Sequence, residues 1–121
     1  MKSVFPCLLF LAGLVFVPVA SGHHSFAVFD FDTQIAFEGT VLSVKFRNPH
    51  IAMTLDSHDE RGQPLVVNFI EGAPANMLVR SGLRPEMIAV GTRITAVGSP
   101  LMTDKNKFFL RKVILQTGEE Y

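Results

Sequence analysis

The stretch His50–Asp59, HIAMTLDSHD, alternates between apolar and polar side chains with a period of two. Because successive side chains of a strand point to opposite faces, this pattern predicts a strand with one buried face. A polar turn with Gly62 and Pro64 follows, and the apolar run LVVNFI comes after it. Residues 51–70 are therefore predicted to form a β-hairpin.

A longer strand is predicted before the hairpin, in the segment TQIAFEGTVLSVKFRNPH. Its apolar residues keep one parity up to Val41 and the opposite parity from Leu42 onward. A change of parity requires one extra residue, so we expect a β-bulge near Val41, with Gly39 permitting a strong bend. Asn48 and Pro49 end this strand.

The segment after the hairpin contains the one predicted helix. Pro74 suits its first position, Gly82 suits its C-terminal cap, and Met77 and Leu78 form its apolar face. Two more strands follow, TRITAVGS and FFLRKVILQ, with a loop over residues 101–108 between them. We therefore predict an all-β fold with one short helix, an OB-like five-stranded small barrel of order β-β-β-α-β-β. A small β-sandwich of undefined topology is the alternative.

Residues 1–22 have the layout of a cleaved secretory signal peptide. Lys2 precedes a run without charge from Val4 to Ala20, and small polar residues follow. A permanent membrane anchor is the alternative, because about 17–25 apolar residues span a bilayer. The small polar flank favours cleavage, and hence a periplasmic or secreted protein with no stable membrane anchor after cleavage.

The cleavage position decides which residue begins the mature chain. Cleavage after Gly22 places small residues at both preferred positions, so we favour it over cleavage after Ala20. The mature protein is then predicted to have an extended arm over residues 23–34, a barrel over residues 35–117 and a polar tail over residues 118–121. Cys7, the only cysteine, would be removed, so the domain must be held together by its core.

Charge argues against one class of partner. The sequence has eleven basic and eleven acidic residues, and removal of residues 1–22 takes away only Lys2. A nearly neutral domain without a basic run lacks the electrostatic signature of a nucleic-acid-binding protein. We therefore expect no nucleic acid as partner; a periplasmic protein partner remains compatible with this composition.

Histidines supply the candidate chemistry, beginning with His23. As the first residue of the mature chain, His23 would offer both its α-amine and its ring to one metal ion, and export would create this ligand pair. Another imidazole, from His24 or His50, would complete a three-nitrogen site of the flattened geometry that favours Cu(II). Glu71, at the end of the third strand, is the candidate carboxylate ligand or orienting group.

Each candidate also has a simpler interpretation. Cleavage after Ala20 would instead place His23 third, where the amine, two backbone nitrogens and the ring can bind Cu(II) or Ni(II) in a plane. Alternatively, His23 and His24 belong to an exposed terminus with incidental metal affinity. His50 could simply occupy a turn and Glu71 could be a solvated strand-end charge, and His58 is expected to be a solvated turn residue.

Several segments resemble a family of small exported bacterial proteins that is catalogued only as a domain of unknown function. They are HHSF after the signal, FEGTVLSVKFRNPH, NFIEGAPANMLVRSGL and VGTRITAVG. In that family an acidic residue stands at the position of Glu71. The resemblance covers the whole mature chain and implies a periplasmic OB-like domain, with no established activity.

Two functions from different classes therefore compete. The first is an exported, periplasmic metal-binding protein, with copper favoured, that uses His23 with His24 or His50 and Glu71. The alternative is a non-catalytic OB-like module that binds a periplasmic protein or a small ligand. An enzyme is the less favoured reading, because no motif indicates a substrate pocket.

Overall fold

The structure is a computed structural model and describes residues 26–121. The predicted signal peptide, His23 and His24 lie outside the described residues. The strands are β1 (Ile35–Lys45), β2 (Ala52–His58), β3 (Pro64–Gly72), β4 (Arg93–Leu101) and β5 (Asp104–Leu115). The helix α1 (Ala75–Ser81) follows β3, and 3₁₀ turns occupy Phe26–Val28 and Pro85–Ile88.

The five strands close into a barrel in the order β1-β2-β3-β5-β4. β1 pairs antiparallel with β2 along its second half and with β4 along its first half, which closes the barrel. β3 and β5 form the one parallel pair among the described strands. The predicted all-β fold, a five-stranded OB-like barrel with one short helix in the order β-β-β-α-β-β, is therefore confirmed.

A bulge in β1 allows this strand to serve two neighbours. Its pairing with β2 shifts between Val41 and Ser43, where the change of side-chain parity predicted an extra residue. Leu42, the bulged residue, is exposed, whereas Val41 is buried. At Gly39 a side chain would collide with the backbone carbonyl of Asp56 on β2, so only glycine allows this close approach.

The core fills the barrel interior with side chains of alternating strand positions. Ile51, Met53 and Leu55 are all buried, as the alternation predicts. The remaining members come from the other strands and from the segment around α1: Val41, Val67, Phe69, Leu83, Ile88, Ile94, Ala96, Phe108, Leu110 and Val113. A core of this kind explains how a domain without disulfides is stable.

The helix differs from its prediction on one face. Pro74 is the N-cap, one residue before the first helical position predicted for it. Gly82 ends the helix with a left-handed φ of 102°, as expected of a C-terminal glycine. Leu78 packs against the core, but Met77 is 58 % exposed, so the predicted apolar face is wrong at Met77. Ala75 is the buried residue of α1 instead.

The predicted loop over residues 101–108 is also wrong. β5 begins at Asp104, and Leu101 pairs with Asp104 across a tight hairpin. The residues 105–107 are exposed on both faces of the strand, so their polar composition resembles that of a loop.

Both ends of the described chain contact the barrel. From the predicted arm, Phe29 forms a single β-bridge with Leu101 after the first 3₁₀ turn. At the other end, Tyr121 and Val113 exchange two backbone hydrogen bonds of 2.9 Å, so the segment 118–121 returns along β5. Within residues 26–121, no helix has the length and hydropathy needed to cross a membrane.

Candidate functional site

The connection between β1 and β2 forms a corner that is held by α1. The Asn48–Pro49 peptide bond in this corner is cis. The Asn48 side-chain oxygen accepts a hydrogen bond from the backbone N–H of Asn76 at 3.1 Å, and the Ala75 N–H donates to the Arg47 carbonyl at 3.3 Å. These two bonds use donors of the first helical turn, which have no partner inside the helix, to fix the corner before His50.

The end of β3 lies against this corner. Gly72 is buried and pairs with Leu110 of β5, and the next residue, Ala73, accepts a 3.1 Å hydrogen bond from the Ile51 N–H. A side chain at Gly72 would come within 2.6 Å of the Ile51 Cγ2 atom. The absence of a side chain therefore lets β3 and the start of β2 approach closely, which brings Glu71 and His50 together.

The two ring nitrogens of His50 have different partners. Nδ1 lies 2.9 Å from the carbonyl oxygen of Gly72, and Nε2 lies 3.3 Å from Oε1 of Glu71. A carbonyl oxygen can only accept, so Nδ1 carries a proton and donates it. Nε2 is then the ring nitrogen that faces the carboxylate of Glu71.

An unprotonated Nε2 and a carboxylate oxygen are both acceptors, so a favourable contact at 3.3 Å needs a proton or another cation between them. One possibility is a second ring proton, which makes His50 a cation paired with Glu71. The other is a metal ion bound to both atoms. At the usual metal–ligand distances of about 2.0–2.2 Å, two neighbouring ligands of one ion lie about 2.9–3.5 Å apart, which matches this pair. The Nδ1–H···O=C bond is the support that metal-bound histidines ordinarily have.

This pair lies at the wall of an open pocket of about 350 Å³. Its lining residues are Arg47, Asn48, Pro49, His50, Ala52, Ile70 and Glu71. The side chain of His50 is 29 % exposed and that of Glu71 is 18 % exposed, so both are partly desolvated yet reachable from solvent. The pocket has room for an ion together with further ligands.

Comparison of the sequence with known protein families identifies the family of this chain. Residues 13–108 match the model of a family of unknown function, DUF6152. The chain belongs to this family. The match covers most of the chain, and it confirms the resemblance to an uncharacterised family that the sequence motifs indicated. No curated protein matches the chain.

Of the predicted site residues in this DUF6152 protein, the structure brings His50 and Glu71 together. His23 and His24 lie outside the described residues, and so does any contact they make. His58 is exposed as expected, but it is the last residue of β2, paired with Pro64, and not a turn residue. Between residues 26 and 121, no three histidine, cysteine, aspartate or glutamate side chains form a group that could hold a metal ion. The described part of the DUF6152 chain therefore supplies two candidate ligands.

Two supporting groups were missed by sequence reasoning. The carbonyl of Gly72 orients His50, and the side chain of Asn48 ties the corner to α1. Every residue has a backbone carbonyl, so the role of this one cannot be identified from the sequence. A glycine directly after an acidic residue at a strand end is a weak signal that two backbone segments approach closely. The bond from Asn76 to Asn48 joins residues 28 positions apart, which no local pattern could predict.

Proposed function

We propose that this protein is an exported, periplasmic metal-binding protein with a preference for copper, and that it binds the ion with His50, Glu71 and the mature amino terminus at His23. His24 is the additional imidazole that the terminus can provide. The role that follows is carriage or buffering of copper, or its delivery to another periplasmic protein.

The observation that carries this proposal is the orientation of His50. Its Nδ1 donates to the Gly72 carbonyl at 2.9 Å, so Nε2 is the ring atom available to an ion, and Oε1 of Glu71 lies 3.3 Å from it. An imidazole fixed in this way and a carboxylate at ligand spacing form half of a four-coordinate site. The other half must come from residues that the structure does not describe or from an external ligand.

The amino terminus is the best candidate for this second half. Cleavage after Gly22 would give His23 an α-amine next to its imidazole, and a metal displaces the amine proton near neutral pH. Together with Nε2 of His50, these groups supply three nitrogens, and Glu71 supplies an oxygen. Nitrogen and oxygen donors in a flattened arrangement favour Cu(II) over the other divalent ions of the first transition row.

Titration with Cu(II) tests this proposal on the processed protein that begins at His23. A version with one extra residue before His23 keeps every side chain but removes the chelate between amine and ring. We expect this version, His50→Ala and Glu71→Gln each to bind Cu(II) more weakly, by at least the roughly 10- to 100-fold that loss of a supporting group costs. His58→Ala is the matched control, because it removes an exposed histidine away from the pocket, and it should leave affinity unchanged.

The same titration can overturn the proposal. Equal affinity of the processed and the extended versions would exclude the terminal amine as a ligand. Equal affinity of His50→Ala and the parent protein would exclude the site on the barrel. Electron paramagnetic resonance of the Cu(II) complex gives an independent readout, since the number of bound nitrogens should fall by one in His50→Ala.

One observation favours the binding module as a second candidate. A groove of about 180 Å³ lies where the first halves of β3 and β5 separate, and most of its lining is apolar: Ile35, Phe37, Leu65, Val66, Val67, Lys105, Asn106 and Phe108. OB-like barrels commonly bind ligands on such open faces. Capture of a periplasmic partner by metal-free protein, unaffected by His23→Ala but abolished by Phe37→Ala, would support this candidate over the metal site.

A further inference from the structure

The open pocket beside His50 and Glu71 has a second polar wall, which the candidate metal ligands do not use. Arg47 and Asn48 line the pocket from the corner between β1 and β2, and both residues are exposed. Their side chains carry hydrogen-bond donors, whereas the carboxylate of Glu71 only accepts. The pocket therefore has one wall that donates and one wall that already holds an accepting group.

The two formal charges of the pocket are not paired with each other. Of the described residues that line the pocket, Arg47 carries the guanidinium and Glu71 carries the carboxylate. Glu71 pairs with Nε2 of His50 at 3.3 Å, whereas Arg47 takes part in no salt bridge within residues 26–121. A guanidinium keeps its charge at every physiological pH. Arg47 is thus a permanent cation at the pocket without an acidic partner in the described part of the chain.

The corner holds these donors in place before any ligand arrives. The Arg47 carbonyl accepts a hydrogen bond from the Ala75 N–H at 3.3 Å, which fixes the backbone of Arg47 against α1. The side-chain oxygen of Asn48 accepts from the Asn76 N–H at 3.1 Å, so the NH₂ group is the part of this amide that remains to donate. Groups that are ordered in advance lose less entropy when a ligand binds.

From the unpaired guanidinium and the neighbouring amide, we infer that this pocket binds a small carboxylate anion, with Arg47 as its charged partner and Asn48 as a second donor. The parallel N–H groups of a guanidinium match the two oxygens of a carboxylate. Ala52 and Ile70, which is 44 % exposed, offer apolar contact to a short carbon chain. The volume of about 350 Å³ lies in the range of small-molecule pockets. This inference goes beyond the proposed function, because it requires neither a metal ion nor the amino terminus.

Charge restricts the ligand to an acid with a single carboxylate. One negative charge balances the guanidinium of Arg47, and a neutral molecule gains nothing from it. A phosphate or a dicarboxylate brings a second negative charge into the same pocket as Glu71, where like charges repel at short range. The apolar lining favours a carbon chain over a hydrated inorganic anion. A short-chain monocarboxylate therefore fits the pocket best.

The test is a titration of the metal-free processed protein with propionate, followed through the NMR shifts of backbone amides. We expect the amides of Ala52 and Ile70, which line the pocket, to shift and to reach saturation. Propionamide is the matched ligand, because it has nearly the same shape but no charge. It should bind at least about 10-fold more weakly, since hydrogen bonds to a charged group are the stronger ones.

Arg47→Ala should weaken propionate binding about 10- to 100-fold, because it removes the charged donor. Arg47→Lys keeps the charge but loses the paired N–H groups, so it should recover only part of the affinity. Asn48→Asp keeps the oxygen that Asn76 uses and places an anion beside Arg47, so it should also weaken binding. Arg80→Ala is the control, because Arg80 is an exposed arginine of α1 that does not line the pocket. It should leave the affinity unchanged.

The amide spectrum also reports whether Arg47→Ala folds as the parent does. Shifts outside the pocket should stay the same, because the side chain is exposed and the bond from Ala75 uses only the backbone carbonyl. Equal binding of propionate and propionamide, an unchanged affinity in Arg47→Ala, or no saturation with the parent protein would each overturn the inference. An equal loss in Arg80→Ala would show general attraction of anions and would overturn it as well. The Cu(II) titrations are separate, so the proposed function can fail without this inference, and the reverse.

Discussion

At the scale of single residues, Gly72 connects the core to the candidate site. Its position is crowded on two sides, by Cγ2 of Ile51 and by Cβ of Leu110, while its carbonyl oxygen accepts the hydrogen bond from Nδ1 of His50. The packing that excludes a side chain here also determines where that carbonyl points. A change at Gly72 should therefore affect both stability and the orientation of His50.

Gly72→Ala should lower the free energy of unfolding by about 1–3 kcal/mol, because the new methyl group overpacks a closed contact. It should also weaken Cu(II) binding about 10- to 100-fold through the displaced support of His50. Gly98→Ala is the matched control: its Cβ would lie 2.7 Å from a ring atom of Phe69, so stability should fall while affinity stays the same. Denaturant unfolding and Cu(II) titration measure both quantities, and equal affinity loss in the two variants would contradict a local role for Gly72.

At the scale of elements, the arm enters β1 through a small turn built on Asp30. The Thr33 hydroxyl donates to the Asp30 carboxylate at 2.7 Å, and the Thr33 N–H donates to the Asp30 carbonyl at 3.3 Å. The hydroxyl is the main reason why the pKa of Asp30 lies below its ordinary value, and backbone N–H groups and Lys105 act in the same direction. The turn therefore stabilises the ionised carboxylate.

Thr33→Val should raise the pKa of Asp30 toward its ordinary value, because the largest cause of the depression is removed. A depressed folded pKa contributes stability above the ordinary value, and this contribution disappears as the pH falls through the folded pKa. The stability difference between parent and variant should thus shrink in acid. Carboxyl-detected NMR titration measures the shift, and Asp104 is the internal control, since the Asn106 N–H lowers its pKa independently of the arm. An unchanged Asp30 titration would contradict this account.

The β2–β3 hairpin and the first residues of β5 show where local sequence patterns predict strands and where they do not. The β2–β3 hairpin was predictable because one of its faces is buried, and Asp59, Gly62 and Pro64 determine its turn. The first residues of β5 were not predictable as a strand. Both faces of the strand are exposed to solvent beside the β4–β5 turn, so the alternation of apolar and polar residues is absent. Pairing with β4 and β3, which is a tertiary interaction, makes them a strand.

At the scale of the whole molecule, the barrel was predictable and the site only in part. The order of the strands along the chain and the parity change in β1 follow from local sequence patterns. The fold class and the bulge could therefore be derived from the sequence. The pairing of His50 with Glu71 depends on the register between the corner and β3, which joins residues 21 positions apart. Both residues were predicted as ligands from the sequence, but the 3.3 Å distance between Nε2 of His50 and Oε1 of Glu71 is a property of the closed barrel.

Metal binding at the proposed site would tie the arm to the barrel and should therefore stabilise the whole molecule. Binding to the folded state alone adds about 2.7 kcal/mol at a free Cu(II) concentration 100 times the dissociation constant. For a domain of this size, we expect Tm to rise by about 10 °C or more. Hydrogen exchange of the two amides that join the arm to the barrel, Asp30 in the arm and Met102 in the β4–β5 turn, should slow in parallel, because these two bonds open together. His50→Ala should abolish both effects, and a Tm shift without protection of the arm would show that the ion binds elsewhere.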